Sequence, residues 1–136
     1  MIRVKDAQLK QKLKLYAAAA ISKGEIVISN TGAKPATAAL ATQVVLGLAL
    51  ETALINTMIP VYPLSGTVME IDFTNAGTKK TFTDADLGTD YDFVVTSHDF
   101  VLDPDDTTNG SLTLVGYDNA NLKAYVMLKN TLILLG

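Results

Sequence analysis

The sequence predicts an all-β fold: a small barrel or sandwich of about eight short strands behind an extended N-terminal arm. Three observations predict it. Short runs alternate apolar with polar side chains, turn-forming pairs recur at regular intervals, and valine, isoleucine and threonine are frequent. A chain of 136 residues can bury one core and needs no second domain, so it divides into an arm, 1–9, and a single β domain, 10–136. With 49% apolar against 18% charged residues it lies on the folding side of the line that separates globular from disordered chains.

Residues 1–9 have mixed polarity and no alternation long enough to make a strand. They read as an arm that orders on a partner and, fully extended, reaches about 30 Å. Leu9, Leu13, Tyr16 and Ala20 are spaced as on a helix face, but KLKLY at 12–16 alternates charged with apolar side chains, so a strand is the preferred reading. Lys23-Gly24 turns the chain into EIVIS at 25–29, and NTGAKP at 30–35 ends that strand with Asn, Gly and Pro.

VVLGLAL at 44–50 fits either a helix or a strand buried on both faces. Gly47 favours the strand, because glycine costs roughly 1 kcal/mol inside a helix yet permits a bulge or a close backbone approach in a sheet. MIPVYPL at 58–64 carries Pro60 and Pro63, which cannot donate to a ladder, so it reads as an edge strand or one interrupted at its ends. TVMEIDF at 67–73 puts Met69, Ile71 and Phe73 on one face and Glu70 and Asp72 on the other, the pattern of a half-buried antiparallel strand.

The stretch 81–90 reads as a loop or short helical turn, with strands after it at 91–96 and 99–102. Asn109-Gly110 is the strongest short turn signal and opens SLTLVGY at 111–117, which DNANL joins to KAYVML at 123–128 as a hairpin. The terminal TLILLG is apolar and must pair in the sheet or be covered by a partner.

Composition and spacing speak against most chemistry. Without cysteine there are no disulfides, thiolate–zinc sites or thiol nucleophiles. His98 is the single histidine and cannot alone supply a usual zinc set, and no serine stands in a Gly-x-Ser-x-Gly elbow. Asp103-Pro104-Asp105-Asp106 with Asn109 gathers oxygen ligands of the kind calcium uses. It lacks the sixth-place glycine and twelfth-place glutamate of a helical calcium loop, where Thr108 and Leu114 stand, and reads first as a solvated turn. No phosphate-cradling glycine pattern occurs, and Tyr16 is the one stacking ring in the basic N-terminal region, so neither nucleotide nor nucleic-acid binding is expected.

LYAAAAIS at 15–22 is alanine-rich and stops at Lys23, unlike an export signal. The apolar stretch 36–55 is interrupted by Gln43, Glu51 and threonines, so it reads as core and not as a membrane span. The expectation is a non-enzymatic chain with no cofactor and no metal.

What the charges do show is direction. Seven basic residues against two acidic ones precede position 35, whereas eight aspartates and no Lys or Arg lie between 84 and 106, an asymmetry suited to oriented docking. Arg3, Lys5, Lys10, Lys12 and Lys14 are the candidate partner-facing charges, and Ile59, Val61 and Tyr62 the candidate apolar contacts.

The order of features carries a resemblance. AAAAISKGEIVISN at 17–30, KPATAALATQVVLGLALETA at 34–53 and IPVYPLSGTVMEIDF at 59–73 resemble the small decoration, or cement, proteins of tailed-bacteriophage capsids. LGTDYDF at 87–93 and GSLTLVGYDNANLKAYVML at 110–128 are similar to the closing strands of such proteins. The resemblance implies a β-barrel or β-tulip-like module, made in the host cytoplasm and carried on the capsid exterior of the virion. There it would bridge neighbouring major capsid proteins, commonly at three-fold positions and as a homo-oligomer, often a trimer, with no role for nucleic acid or membrane. Other virion structural roles (head–tail joining or tail tube) and an extracellular adhesin-like β-sandwich are the alternatives.

Overall fold

In a computed structural model, residues 2–4, 13–29, 33–36, 44–62, 64, 66–96, 99–108 and 110–129 are described. Eleven strands lie among them: β1 Arg3–Val4, β2 Leu13–Tyr16, β3 Ile26–Ser29, β4 Ala33–Pro35, β5 Val44–Ala49, β6 Met58–Tyr62, β7 Val68–Phe73, β8 Asp90–Thr96, β9 Asp99–Asp103, β10 Leu112–Asp118 and β11 Lys123–Leu128. A 3-10 turn, Asp84–Asp86, precedes β8, in the stretch the sequence marks as a loop or short helical turn.

The strands make a closed barrel and a curled sheet. The first sheet runs β1-β7-β11-β10-β8-β9, and β9 returns to β7 in parallel register, Asp72 beside Val101 and Phe73 beside Leu102. That return closes five strands, β7 to β9, into a barrel and removes two free edges. The second sheet runs β2-β6-β5-β3-β4 and curls until Ala17, just past one outer strand, bridges Ala33 at the other.

Period-2 alternation decides what fills the barrel. Met69, Ile71 and Phe73, Phe93, Phe100 and Leu102, Leu112 and Leu114, and Ala124, Val126 and Leu128 are all buried in one apolar cluster. Ile26, Ile28, Val45, Leu48, Tyr62 and Leu64 of the curled sheet and its exit join the same cluster, so sheet and barrel share a core. The sheet's other face, with Val27, Ala49, Ile59 and Val61, encloses a second cluster with Ala17, Ile21, Ala33 and Ala53.

Phe82 stops one end of the barrel. Its ring lies 4.7 Å from Phe73 and 5.3 Å from Tyr91, centroid to centroid, both edge-on. The Asn119 side chain holds the Phe82 backbone from both sides, accepting from its N–H and donating to its carbonyl at 2.9 Å each.

Gly47 behaves as its place in the sequence suggests. The β3–β5 register shifts beside it, its φ is 153°, and an added Cβ would lie 2.4 Å from both the Tyr62 carbonyl oxygen and Val61 Cγ1. Gly110 likewise allows close approach, since a Cβ there would come within 2.6 Å of the Asp90 carbonyl oxygen.

Two expectations are corrected. β6 is an interior strand between β2 and β5, not an edge. Pro60 is tolerated because its carbonyl accepts from Leu50 N–H, which points its missing donor to the side where the β5 ladder, ending at Ala49–Val61, has run out. Part of the segment read as an arm belongs to the barrel: Arg3 and Val4 pair with Glu70 and Met69, and Ile2 is buried in the main core. They occupy the length of the β7 edge that β9 leaves free.

Candidate interaction surface

The acidic stretch 84–106 is largely spent inside the fold. Both Asp105 carboxylate oxygens accept backbone N–H groups, from Thr78 and Lys79 at 2.8 Å each, fastening the 74–81 loop. Asp86 accepts from Thr83 N–H and pairs with Lys79 at 3.0 Å; that backbone donor, then Lys79, holds its carboxyl below the usual range despite some desolvation. Asp90 accepts from the Thr113 hydroxyl at 2.6 Å and pairs with Lys129, and Asp84 accepts from the Tyr117 hydroxyl at 2.7 Å.

Asp103 and Asp106 accept the N–H groups of Asp105 and Thr108, closing their own turns. Among the described residues no group of three or more His, Cys, Asp or Glu side chains could hold a metal ion. His98 and Asn109 lie outside the described residues.

Asp92 differs from the other aspartates. It is buried, stands directly opposite Asp103 in the β8–β9 ladder, and its N–H donates to the Asp106 carbonyl at 2.9 Å. Burial pushes its carboxyl up, the Phe93 N–H pulls it back in part, and the charges of Asp106 and Asp103 push it further up.

Four of the large exposed apolar side chains, Tyr16, Leu54, Ile55 and Met58, stand on or beside one turn of the second sheet. The ribbon formed by 21–24 and 49–53 is tied by Ile21–Ala53 hydrogen bonds in both directions, at 2.8 and 3.0 Å, and turns at 54–57. The Leu54 carbonyl takes both the N–H and the hydroxyl of Thr57, while Asn56 N–H donates to Ala17 and Ala17 N–H to Thr57. Asn56 takes the left-handed φ of 64° that asparagine tolerates better than most side chains.

This pinned turn displays Leu54 at 71% and Ile55 at 56% exposure, flanked by the cross-strand pair Tyr16 and Met58 at 69% and 47%. Large apolar side chains exposed on and beside a hydrogen-bonded turn, where polar residues would ordinarily stand, are of the sort that marks a contact surface.

The residues expected from sequence fall differently. Ile59 and Val61 are wholly buried in the second cluster and Tyr62 is buried in the main core, so they offer no contact area as placed. The β6 strand therefore presents Met58 at its exposed end in their stead. Arg3 is paired to Glu70 in β1, and Lys14 stands opposite Pro60 in β2, while Lys5, Lys10 and Lys12 lie outside the described residues, as do TLILLG and most of the proposed arm.

Leu54 and Ile55 read in sequence as the end of the 36–55 apolar run. The available signal was the polar break at Glu51-Thr52 before them and Asn56-Thr57 after them, which detaches the pair from the strand and leaves it in a turn. No helix of the described residues is long and apolar enough to cross a membrane, and 44–49 of that run is a strand.

Fold and surface together define, among the described residues, an all-β module, barrel plus curled sheet, with an exposed apolar turn pinned by hydrogen bonds. No known protein family matches the chain, and no curated protein is significantly similar to it.

Proposed function

We propose that this chain is a virion structural protein that acts by protein–protein contact on the outer face of a tailed-phage capsid. Its partners there are the major capsid protein and further copies of itself. The observation that carries the reading is the pinned Leu54–Ile55 tip with Tyr16 and Met58, because a rigid apolar surface loses little conformational freedom when a partner covers it. The chain-order resemblance to capsid decoration proteins supplies the setting. A barrel closed by β7–β9 also suits a cementing role, since it leaves few edges to mispair when many copies crowd together on a shell.

The test is sedimentation with mature capsids that lack the protein. Saturable binding in a symmetry-matched copy number, with a raised melting point of the particle, supports the reading; absence of co-sedimentation refutes it. A ring formed by the pure protein, seen by electron microscopy, would favour a head–tail joining or tail-tube role.

A further inference from the structure

We infer that the partner covering the Leu54–Ile55 tip is a second copy of this chain, joined through a two-fold axis that runs along the 21–24/49–53 ribbon. The inference rests on reading the tip as a contact surface and names its occupant.

Charge is the first argument. The ribbon below the tip carries one exposed cation, Lys23, on one strand and one exposed anion, Glu51, on the other, with Lys23 N–H bonded to the Thr52 hydroxyl between them. A foreign surface selected by charge would call for one sign. Equal and opposite charges on the two sides of one ribbon are instead complementary to themselves. Rotation about an axis along the ribbon stacks two ribbons face to face and exchanges their strands, so Lys23 meets the partner's Glu51 and Glu51 meets the partner's Lys23. The same rotation keeps the two tips at one end, so Leu54 and Ile55 of one copy pack against those of the other.

Chemistry and shape agree with this. Next to Tyr16 the chain continues as Ala17-Ala18-Ala19-Ala20, where Ala18 and Ala19 are half-buried and Ala20 exposed, small side chains that add little bulk beside the tip. Of the polar side chains beside this patch, the Thr57 hydroxyl is already bonded to the Leu54 carbonyl at 2.6 Å, so covering it strands no donor there. The hydrogen bonds that pin 54–57 have already fixed the turn before association.

The patch offers a few hundred Å² per copy, toward or below the low end of stable interfaces at about 1,200 Å² in total. That area sets the expectation: a weak, reversible dimer in dilute solution, filled when copies are concentrated on a shell.

The experiment is sedimentation equilibrium of the full chain from micromolar to near-millimolar concentration, at low and high salt. Wild type is expected to pass from monomer to dimer, more weakly at high salt. The double variant L54S/I55S, which alters exposed positions, is expected to weaken association by about tenfold or more while its melting temperature holds. The charge variants K23E and E51K are each expected to self-associate less than wild type, because each sets like charges together. An equimolar mixture of the two is expected to recover association as a mixed dimer.

Wild type that stays monomeric throughout overturns the inference, as does association indifferent to L54S/I55S. If the chain is monomeric yet L54S/I55S loses capsid co-sedimentation, the tip belongs to a foreign protein: self-association fails and the contact-surface reading survives. Binding of the tip to anionic phospholipid vesicles, abolished by L54S/I55S in a monomeric chain, would overturn both.

Discussion

Replacing Ile2 by alanine separates two pictures of the N-terminal segment. If the segment were an arm that orders only on a partner, the substitution would leave the isolated chain's stability untouched and reduce only its attachment. In the structure Ile2 is 3% exposed within the main cluster, and Arg3–Val4 continue the barrel along β7. Truncating a buried isoleucine costs about 2–5 kcal/mol, and a residue at the end of a two-residue strand can relax, which places this case near 2–3 kcal/mol. For 136 residues, that corresponds to a fall in melting temperature of roughly 7–10 °C. Urea unfolding followed by far-UV circular dichroism measures it, with Ile2→Val as a graded control expected to lose about 0.5–1.5 kcal/mol. A midpoint unchanged for Ile2→Ala, within about 0.5 kcal/mol, would refute the assignment of this segment to the barrel.

Three further outcomes follow from the same structure. Phe82→Ala empties the plugged barrel end and is expected to cost about 3–5 kcal/mol, most of it restored by Phe82→Leu; chemical denaturation reads both. Gly47→Ala drives a Cβ against the Tyr62 carbonyl at a φ that disfavours any side chain, so a loss of at least about 2 kcal/mol is expected in the same assay.

Asp92→Asn tests the buried carboxyl. Because folding raises its pKa, Asp92 favours the fold fully below its unfolded value of about 3.9 and loses that contribution as pH rises through the raised folded value. Asn keeps an acceptor for the Phe93 N–H and has no charge to bury. The variant should therefore melt higher than wild type at neutral pH, the gap closing as pH falls toward about 4. A variant that melts lower at neutral pH would show that the charge is compensated within the fold.

Local signals in the chain determined most of the strands. The alternation in TVMEIDF and KAYVML fixed both their extent and their inward apolar faces, because a pleated strand sends successive side chains to opposite sides whatever lies next to it. Gly47 told of a bulge or close approach for an equally local reason, since only glycine lacks the atom that would clash.

Which strands became neighbours was decided elsewhere. The parallel β7–β9 closure, the interior position of Pro60-bearing β6 and the capture of Ile2 by the free part of the β7 edge depend on pairings between residues far apart in sequence. No window of sequence carries the competition among edges that selects them. The same holds for the contact surface. Ile59 and Val61 are as apolar as Leu54 and Ile55, and only the curl of the second sheet buries the first pair while the turn at 54–57 lifts the second into solvent. Hydrophobicity belongs to a residue, and exposure to the folded chain around it; the apolar composition of 53–62 was written in the sequence, and its division into core and tip was made by the tertiary structure.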